Sequence, residues 1–481
     1  MKEMGISFLL GLLLLLGSGC ALVQPTEPFQ PVPVTEATGI LPQAPGQPLP
    51  AKEEAPPEAL TLESALEIAL KNNPELAATQ WEVSTAGAKL DQAKAARWPS
   101  LAFEANYLTY QYQRPIRESH FQGERRIFSN KTSRGDLVLK MPLFTGGRIL
   151  NEIKASELVR LAEENRLSRT KDELVFNVSS TFYGLLSQEK VIASVKFSLK
   201  AMQEQRQKMA KMVEVAKAAP VDLLRTEVRV ADLTQSLERE TNILEIQKRV
   251  LANLMGLDFN PAQLTIAGKL TFEKVSYRPE QLVPRALEQR PDFQAARKRL
   301  ESQARKVDVA RAAHWPTVNL VGAYTYRGSG VSGVYDDRDP KNPRNRGPYY
   351  DNDGNIGVTL SLPVFEGGRI NAKVREEFSA LAAAQDRLRK LNLQIRKEVE
   401  TAILDVNSSS ERVKALEKAI EQAQESLRIE TLKYNLGAGT VTDVLDAQTA
   451  LLVTETNYYR ALAEFRTSLA QLKLAVGGDL S

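Results

Sequence analysis

A unit of about 220 residues occurs twice in this chain, and that repetition constrains the fold more than any other feature of the sequence. Asn73-Pro74 through Arg97-Trp98-Pro99 recurs as Arg290-Pro291 through His314-Trp315-Pro316, 217 positions later. Met141-Pro142-Leu143-Phe144-Thr145-Gly146-Gly147-Arg148-Ile149 recurs as Leu362-Pro363-Val364-Phe365-Glu366-Gly367-Gly368-Arg369-Ile370, now 221 positions later. The same interval links Asp222 to Asp443 and Gly256 to Gly477. The interval changes once, so the four extra residues of the second copy lie between its Trp-Pro and its Pro-Val-Phe landmarks. Three separated landmarks in one register point to a duplicated unit.

The unit is predicted to run helix, hairpin, long helix, reversal, shorter helix. Leu62 to Trp98 and Leu282 to Trp315 read as helical, interrupted at Pro74 and Pro291, with Trp-Pro ending each. Candidate strands follow, 100–112 with 133–144 and 317–327 with 355–365. In the second strand of each pair the apolar residues alternate: Leu137, Leu139, Met141, Leu143, and Ile356, Val358, Leu360, Leu362, Val364. The intervening loops, 113–132 and 328–354, are charged and rich in turn residues. After each Gly-Gly-Arg a proline-free helix is expected, from about Arg148 to Ala218 and from about Arg369 to Asn435, each about 100 Å long at 1.5 Å per residue. The second carries a heptad seam of Val399, Val406, Val413, Ile420 and Leu427, with Ala402, Ser409, Leu416 and Ala423 at the partner position. In the first, Val178, Leu185, Ile192 and Leu199 run beside Val195, Met202 and Met209.

Strands of this kind match the roughly 9–11 residues needed to cross a bilayer. An open four-stranded sheet has unpaired edges that lipid cannot satisfy. Four strands per chain therefore require closure by other chains. Eight strands leave an interior filled by side chains and twelve begin to open a lumen, so a trimer is the smallest assembly that makes a tube.

The N-terminus reads as an address. Lys2 precedes an apolar run from Ile6 to Leu16, too short to span a bilayer, and then Gly17-Ser18-Gly19-Cys20. Small residues before a lone cysteine resemble the lipobox of bacterial lipoproteins. That resemblance implies a signal peptide over 1–19, lipidation of Cys20 and, with Ala21 following, outer-membrane delivery. Residues 20–58, with prolines such as Pro25, Pro31, Pro42 and Pro56, read as an extended tether. The expected organisation continues with one repeat over 59–256 (hairpin 100–144), a connecting segment 257–281, and a second repeat over 282–478 (hairpin 317–365).

Composition removes several classes of function. A net charge of +4 with mixed sign, and no nucleic-acid motif, argue against nucleic-acid binding. Cys20 is the single cysteine, so no intrachain disulfide forms, and His120 and His314 are the two histidines. Metal sites and nucleophilic triads draw on such residues converging in one pocket. Neither an enzyme, a cofactor nor a bound metal is expected.

The Gly-Gly-Arg helix starts, the Trp-Pro helix ends, the duplication and Lys433-Tyr434-Asn435-Leu436-Gly437 with Asp443-Val444-Leu445-Asp446-Ala447 together resemble the outer-membrane efflux proteins of the TolC family, over about residues 60–478. The resemblance implies a trimer: a twelve-stranded β-barrel in the outer membrane, continuous with a periplasmic α-helical tunnel. Its tip would meet a periplasmic adaptor protein and an inner-membrane pump. A coiled-coil lipoprotein that spaces the outer membrane is the alternative, one that leaves the hairpins unexplained.

Within that frame Trp98, Pro99, Trp315 and Pro316, with Gly146, Gly147, Gly367 and Gly368, are expected at the strand–helix joints. Gly437, Gly439 and Pro220 mark the reversals at the tip, where an adaptor would dock. Asp443 and Asp446 share a helix face near its N-terminus. They read as gate residues, beside the plainer role of answering the helix dipole. The family resemblance further implies a resting latch between Tyr434 and Asp222, with Gly439 standing where some members carry an arginine.

Overall fold

The computed structural model describes residues 60–117, 126–257, 264–335 and 346–478. Cys20, its signal and tether, and His120 lie outside them. Helix α1 (Leu62–Asn72) opens on a capping box. Ser64 N donates to Thr61 Oγ1 at 3.3 Å and Thr61 N to Ser64 Oγ at 3.0 Å. Helix α2 (Pro74–Ala95) takes Asn73 as its N-cap and a proline at N1, so one residue closes α1 and starts α2. Strands β1 (Ser100–Arg117) and β2 (Arg126–Phe144) follow, then α3 (Arg148–Glu214) and α4 (Pro220–Leu254). The same order returns as α5 (Pro279–Gln289), α6 (Pro291–Arg311), β3 (Thr317–Tyr335), β4 (Arg346–Ser361), α7 (Arg369–Asn435) and α8 (Val441–Val476). A single 3-10 turn, Ala312–His314, ends α6 before Trp315.

The four strands form one antiparallel sheet, β1-β2-β3-β4. Beside it the helices lie in rows. Near the sheet the order is α2, α3, α6, α7, and farther along it is α4, α3, α8, α7. The long helices α3 and α7, 67 residues each, run through both rows. Their seams are the expected ones: Val178, Leu185, Met202 and Met209 in α3, and Val399, Val406 and Val413 in α7, are buried. Ile420 and Leu427 are only half-buried.

Midway along, two apolar cores anchor the rows. Leu60, Ala65, Ala69 and Leu76 pack on Leu174, Val178 and Phe182 of α3, together with Leu251 of α4. Leu282, Ala286 and Phe293 pack on Ile395, Val399 and Phe465. The connecting segment returns beside Leu60, which pairs with Ile266 in an isolated bridge. The two halves fasten α2 and α6 at equivalent points. Asn73 Nδ2 donates to the Leu254 carbonyl at 2.9 Å, and Arg290 Nη1 donates to the Ala475 carbonyl at 3.2 Å, the two carbonyls standing one repeat interval apart.

The strands differ from expectation in length. They run between 16 and 19 residues, well into the segments read as loops. A ladder is held by backbone bonds and continues where side-chain alternation fades. The ladder is irregular there, with a register shift between Thr109 and Arg114. β4 instead stops at Ser361, so Leu362 and Val364 fall outside the alternation assigned to them; Pro363 has no N–H to donate. Helix α3 ends at Glu214, one turn short of Ala218, where Ala216 turns to φ +55.

Candidate functional site

The sheet has two chemically distinct faces. Pairing places Leu101 beside Leu139, Gly322 and Ile356, and Phe103 beside Leu137 and Tyr324. Met141, Leu320 and Val358 form the next row, so one face is apolar across all four strands. The residues between point to the opposite face. There Glu104, Asp136, Thr325 and Asp353 make one row, with Asn106, Arg134 and Arg327 in the next. Asp136 is buried among these: Arg134 Nε donates to it at 2.8 Å and Thr325 Oγ1 at 2.6 Å. The first strand of each pair alternates less cleanly because Ala105 in β1 and Gly322 in β3 interrupt the apolar face. Phe103 covers Gly135, its ring lying 3.3 Å from where a Cβ would stand.

The joints between sheet and helices use the expected residues. Trp98-Pro99 and Trp315-Pro316 directly precede β1 and β3, and both indoles are exposed, at 73 % and 61 %. Gly146-Gly147 and Gly367-Gly368 all have positive φ, which lets a strand turn sharply into a long helix. Gly146 also admits close approach: a Cβ there would stand 2.6 Å from Trp315 Cβ, so the first half's joint seats against the second half's tryptophan.

At the far end the long helices reverse. Gly437 (φ +75) lets the Ala438 N–H reach back to the Lys433 carbonyl at 2.9 Å. Gly439 is pressed against Lys433, a Cβ there standing 3.1 Å from Lys433 Cβ, which leaves an arginine no room without a shift of the turn. Pro220 occupies N1 of α4, and Thr440 caps α8. Asp443 closes a capping box on that end. Its N–H donates to Thr440 Oγ1 at 3.2 Å, while its carboxylate accepts from Thr440 N at 2.9 Å and Thr440 Oγ1 at 2.6 Å. These bonds hold Asp443 below its ordinary pKa. Asp446, one turn on, is exposed and forms no ion pair among the described residues.

Tyr434 is partly buried against the cluster of Met209, Val441 and Leu445. Burial, then the charge of Asp222, push its phenol up, so the two residues are neighbours. No hydrogen bond joins them. The bond that does link the two halves here is Arg225 Nη1 to Thr442 Oγ1, 3.0 Å, with the same guanidinium 3.8 Å from Asp222. Sequence reasoning missed Arg225. Its signal was there: Arg225 stands 221 positions before Asp446, so the two copies carry opposite charge at one place.

Among the described residues no His, Cys, Asp and Glu cluster could hold a metal ion, and no helix is long and apolar enough to cross a membrane. Nodulation protein T of Rhizobium leguminosarum bv. trifolii is 24 % identical over 431 residues, 86 % of this chain and 85 % of that protein. The outer membrane protein TolC of Vibrio cholerae is 22 % identical over 410 residues, 85 % of this chain and 89 % of that one. The crystal structure of the outer membrane protein VceC of Vibrio cholerae superposes with a TM-score of 0.70 at 20 % identity, covering 87 % of this chain and 97 % of its own. The model of a family described as outer membrane efflux protein matches residues 65–257 and again 282–478. The chain belongs to that family, and its role is that of an outer-membrane efflux duct.

Proposed function

We propose that three copies of this chain close edge to edge into a twelve-stranded barrel and a continuous helical tunnel, the exit duct of a tripartite efflux or type I secretion system. The observation that carries this reading is a contact made once inside the chain and left open once. Gly146 seats against Trp315, but its repeat counterpart Gly367 has nothing within 4 Å of a Cβ position, and Trp98, the counterpart of Trp315, stands exposed. Trp98 of the next copy fits Gly367. In the same way β4 meets the next copy's β1 as β2 meets β3, and α7 meets the next α4 as α3 meets α8. The edge helices carry suitable apolar stripes: Val221, Leu224 and Val228 on α4, Ile429, Leu432 and Leu436 on α7 and its end. Such a head-to-tail contact closes a ring when the rotation permits. Closure also satisfies the sheet edges that lipid would leave unpaired.

The apolar sheet face then meets lipid and the row of Glu104, Asp136, Thr325 and Asp353 lines the lumen. Cys20 carries the lipid anchor. The reversals at Pro220, Gly437 and Gly439 meet a periplasmic adaptor, itself bound to an inner-membrane pump. Asp443 and Asp446 line the constriction, Asp443 also capping its helix. Native mass spectrometry of the purified protein tests the assembly: three copies are expected, and a dimer or an open-ended ladder of masses overturns it.

A further inference from the structure

In the row α4, α3, α8, α7 a cavity of about 540 Å³ opens over the two inner helices. Ligand clefts span roughly 300 to 1000 Å³, so the space is of a useful size. Its wall is mostly apolar in area but carries several polar side chains. Ser180 and Thr181 of α3, Thr467 and Ser468 of α8, Gln247 of α4 and Asp405 of α7 all line it.

Three observations mark these groups as unfilled. Thr170, Thr234, Thr241 and Thr456 on the same helices donate their hydroxyls to the carbonyl four residues earlier. Thr181 and Thr467, facing the cavity, make no such bond, so their hydroxyls are free to serve a ligand. The amide oxygen of Gln247 is buried with no hydrogen-bond donor, a cost that a native core seldom leaves standing. Glu464 on the same wall is answered by Arg412 at 2.5 Å, whereas Asp405 has no ion-pair partner among the described residues. The unmet capacity is mostly that of acceptors, with one uncompensated negative charge. Thr181, Thr467 and Ser468 stand on α3 and α8, the two inner helices of the row, away from its edges.

We propose that the cavity binds a hydroxyl-rich ligand bearing a protonated amine, an amino sugar, whose ammonium pairs with Asp405 while its hydroxyls meet Thr181, Thr467 and Ser468. A rotation of the terminal amide turns the Gln247 oxygen toward a ligand hydroxyl. The site is built from the four helices of one chain.

Isothermal titration of the assembled protein with three trisaccharides tests it: the trimer of glucosamine, its N-acetylated form and maltotriose. One glucosamine trimer per chain is expected, bound at least tenfold more tightly than the other two. Asp405 is exposed, so Asp405→Asn should fold and weaken that sugar at least tenfold. Ser468→Trp should abolish binding by filling the space, and bilayer conductance should be unchanged in both variants. Equal or absent binding of all three sugars, or an affinity indifferent to Asp405→Asn, overturns the proposal.

Discussion

Ala216 is the described non-glycine residue with positive φ, at +55, and it occupies the turn position that Gly437 holds in the second copy. The Lys217 N–H reaches back to the Met212 carbonyl at 2.7 Å as the Ala438 N–H reaches Lys433. An L-residue in this region costs about 1–2 kcal/mol. Ala216→Gly should therefore stabilise the protein by about 1 kcal/mol, less the extra unfolded-state entropy of glycine, and Gly437→Ala should destabilise it by a similar amount. Denaturant midpoints measure both, and an Ala216→Gly variant less stable than the parent would show that the turn is not strained. Arg290 makes the opposite case, a residue with too many partners to lose. It is 1 % exposed, and its guanidinium reaches Asp292 at 2.6 Å and Glu398 at 2.6 Å. Burial raises the Asp292 pKa, but the hydrogen bonds and charge of Arg290 outweigh it and hold the carboxyl below its ordinary value. A depressed carboxylate stabilises the fold above the unfolded value and stops doing so as pH falls through the folded one. Arg290→Met should cost about 3 kcal/mol at neutral pH, because two carboxylates lose their partner, and the deficit should shrink below about pH 4. A deficit that stays constant from pH 7 to pH 3 would show that packing, not charge, is what Arg290 supplies.

At the scale of elements, one side-chain hydrogen bond joins the halves at the tip among the described residues, beside the apolar cluster of Met209, Val441 and Leu445. Arg225 of α4 reaches Thr442 of α8, and Tyr434 packs beside them under the charge of Asp222. At this exposed position a hydrogen bond from a charged group contributes about 1 kcal/mol, enough to bias a tip between closed and open. Thr442→Val removes the acceptor and keeps the shape. It should raise single-channel conductance several-fold, whereas Tyr434→Phe, which loses no hydrogen bond here, should change it little. Planar-bilayer recording separates them; a large effect of Tyr434→Phe with none of Thr442→Val would assign the latch to the tyrosine. The helices and their seams were legible because burial repeats every seven residues, as at Val399, Val406 and Val413. The joints were legible because Pro99 cannot continue a helix and Gly147 admits the positive φ that a sharp strand-to-helix turn needs. Strand ends beyond residues 112 and 327 were not, since the mixed polar, glycine and apolar residues there carry no period. Arg225 was hidden for another reason: a bond across 217 residues has no local signature.

For the whole molecule, ring closure would turn each exposed side chain of the tip into a set of three. Asp443 and Asp446 become two stacked rings one turn apart on α8, and rings of carboxylates select cations. The Thr440 bonds lower the Asp443 pKa and so oppose the rise that three crowded carboxylates bring. Selectivity carried by Asp443 should thus be flat from pH 8 to pH 5. Asp443→Asn keeps an acceptor for the Thr440 cap while removing the charge, and Asp446→Asn removes the other ring without touching any bond. Under a salt gradient the reversal potential of the double variant should fall by at least half, and block by trivalent cations added on the periplasmic side should disappear. Stability should change little, because Asn keeps the cap, so the reversal potential alone separates the readings: a helix cap without a gate leaves it intact. If the potentials of wild type and double variant coincide, the lumen rows of Glu104 and Asp353 carry the selectivity instead, and neutralising those two residues should then move it.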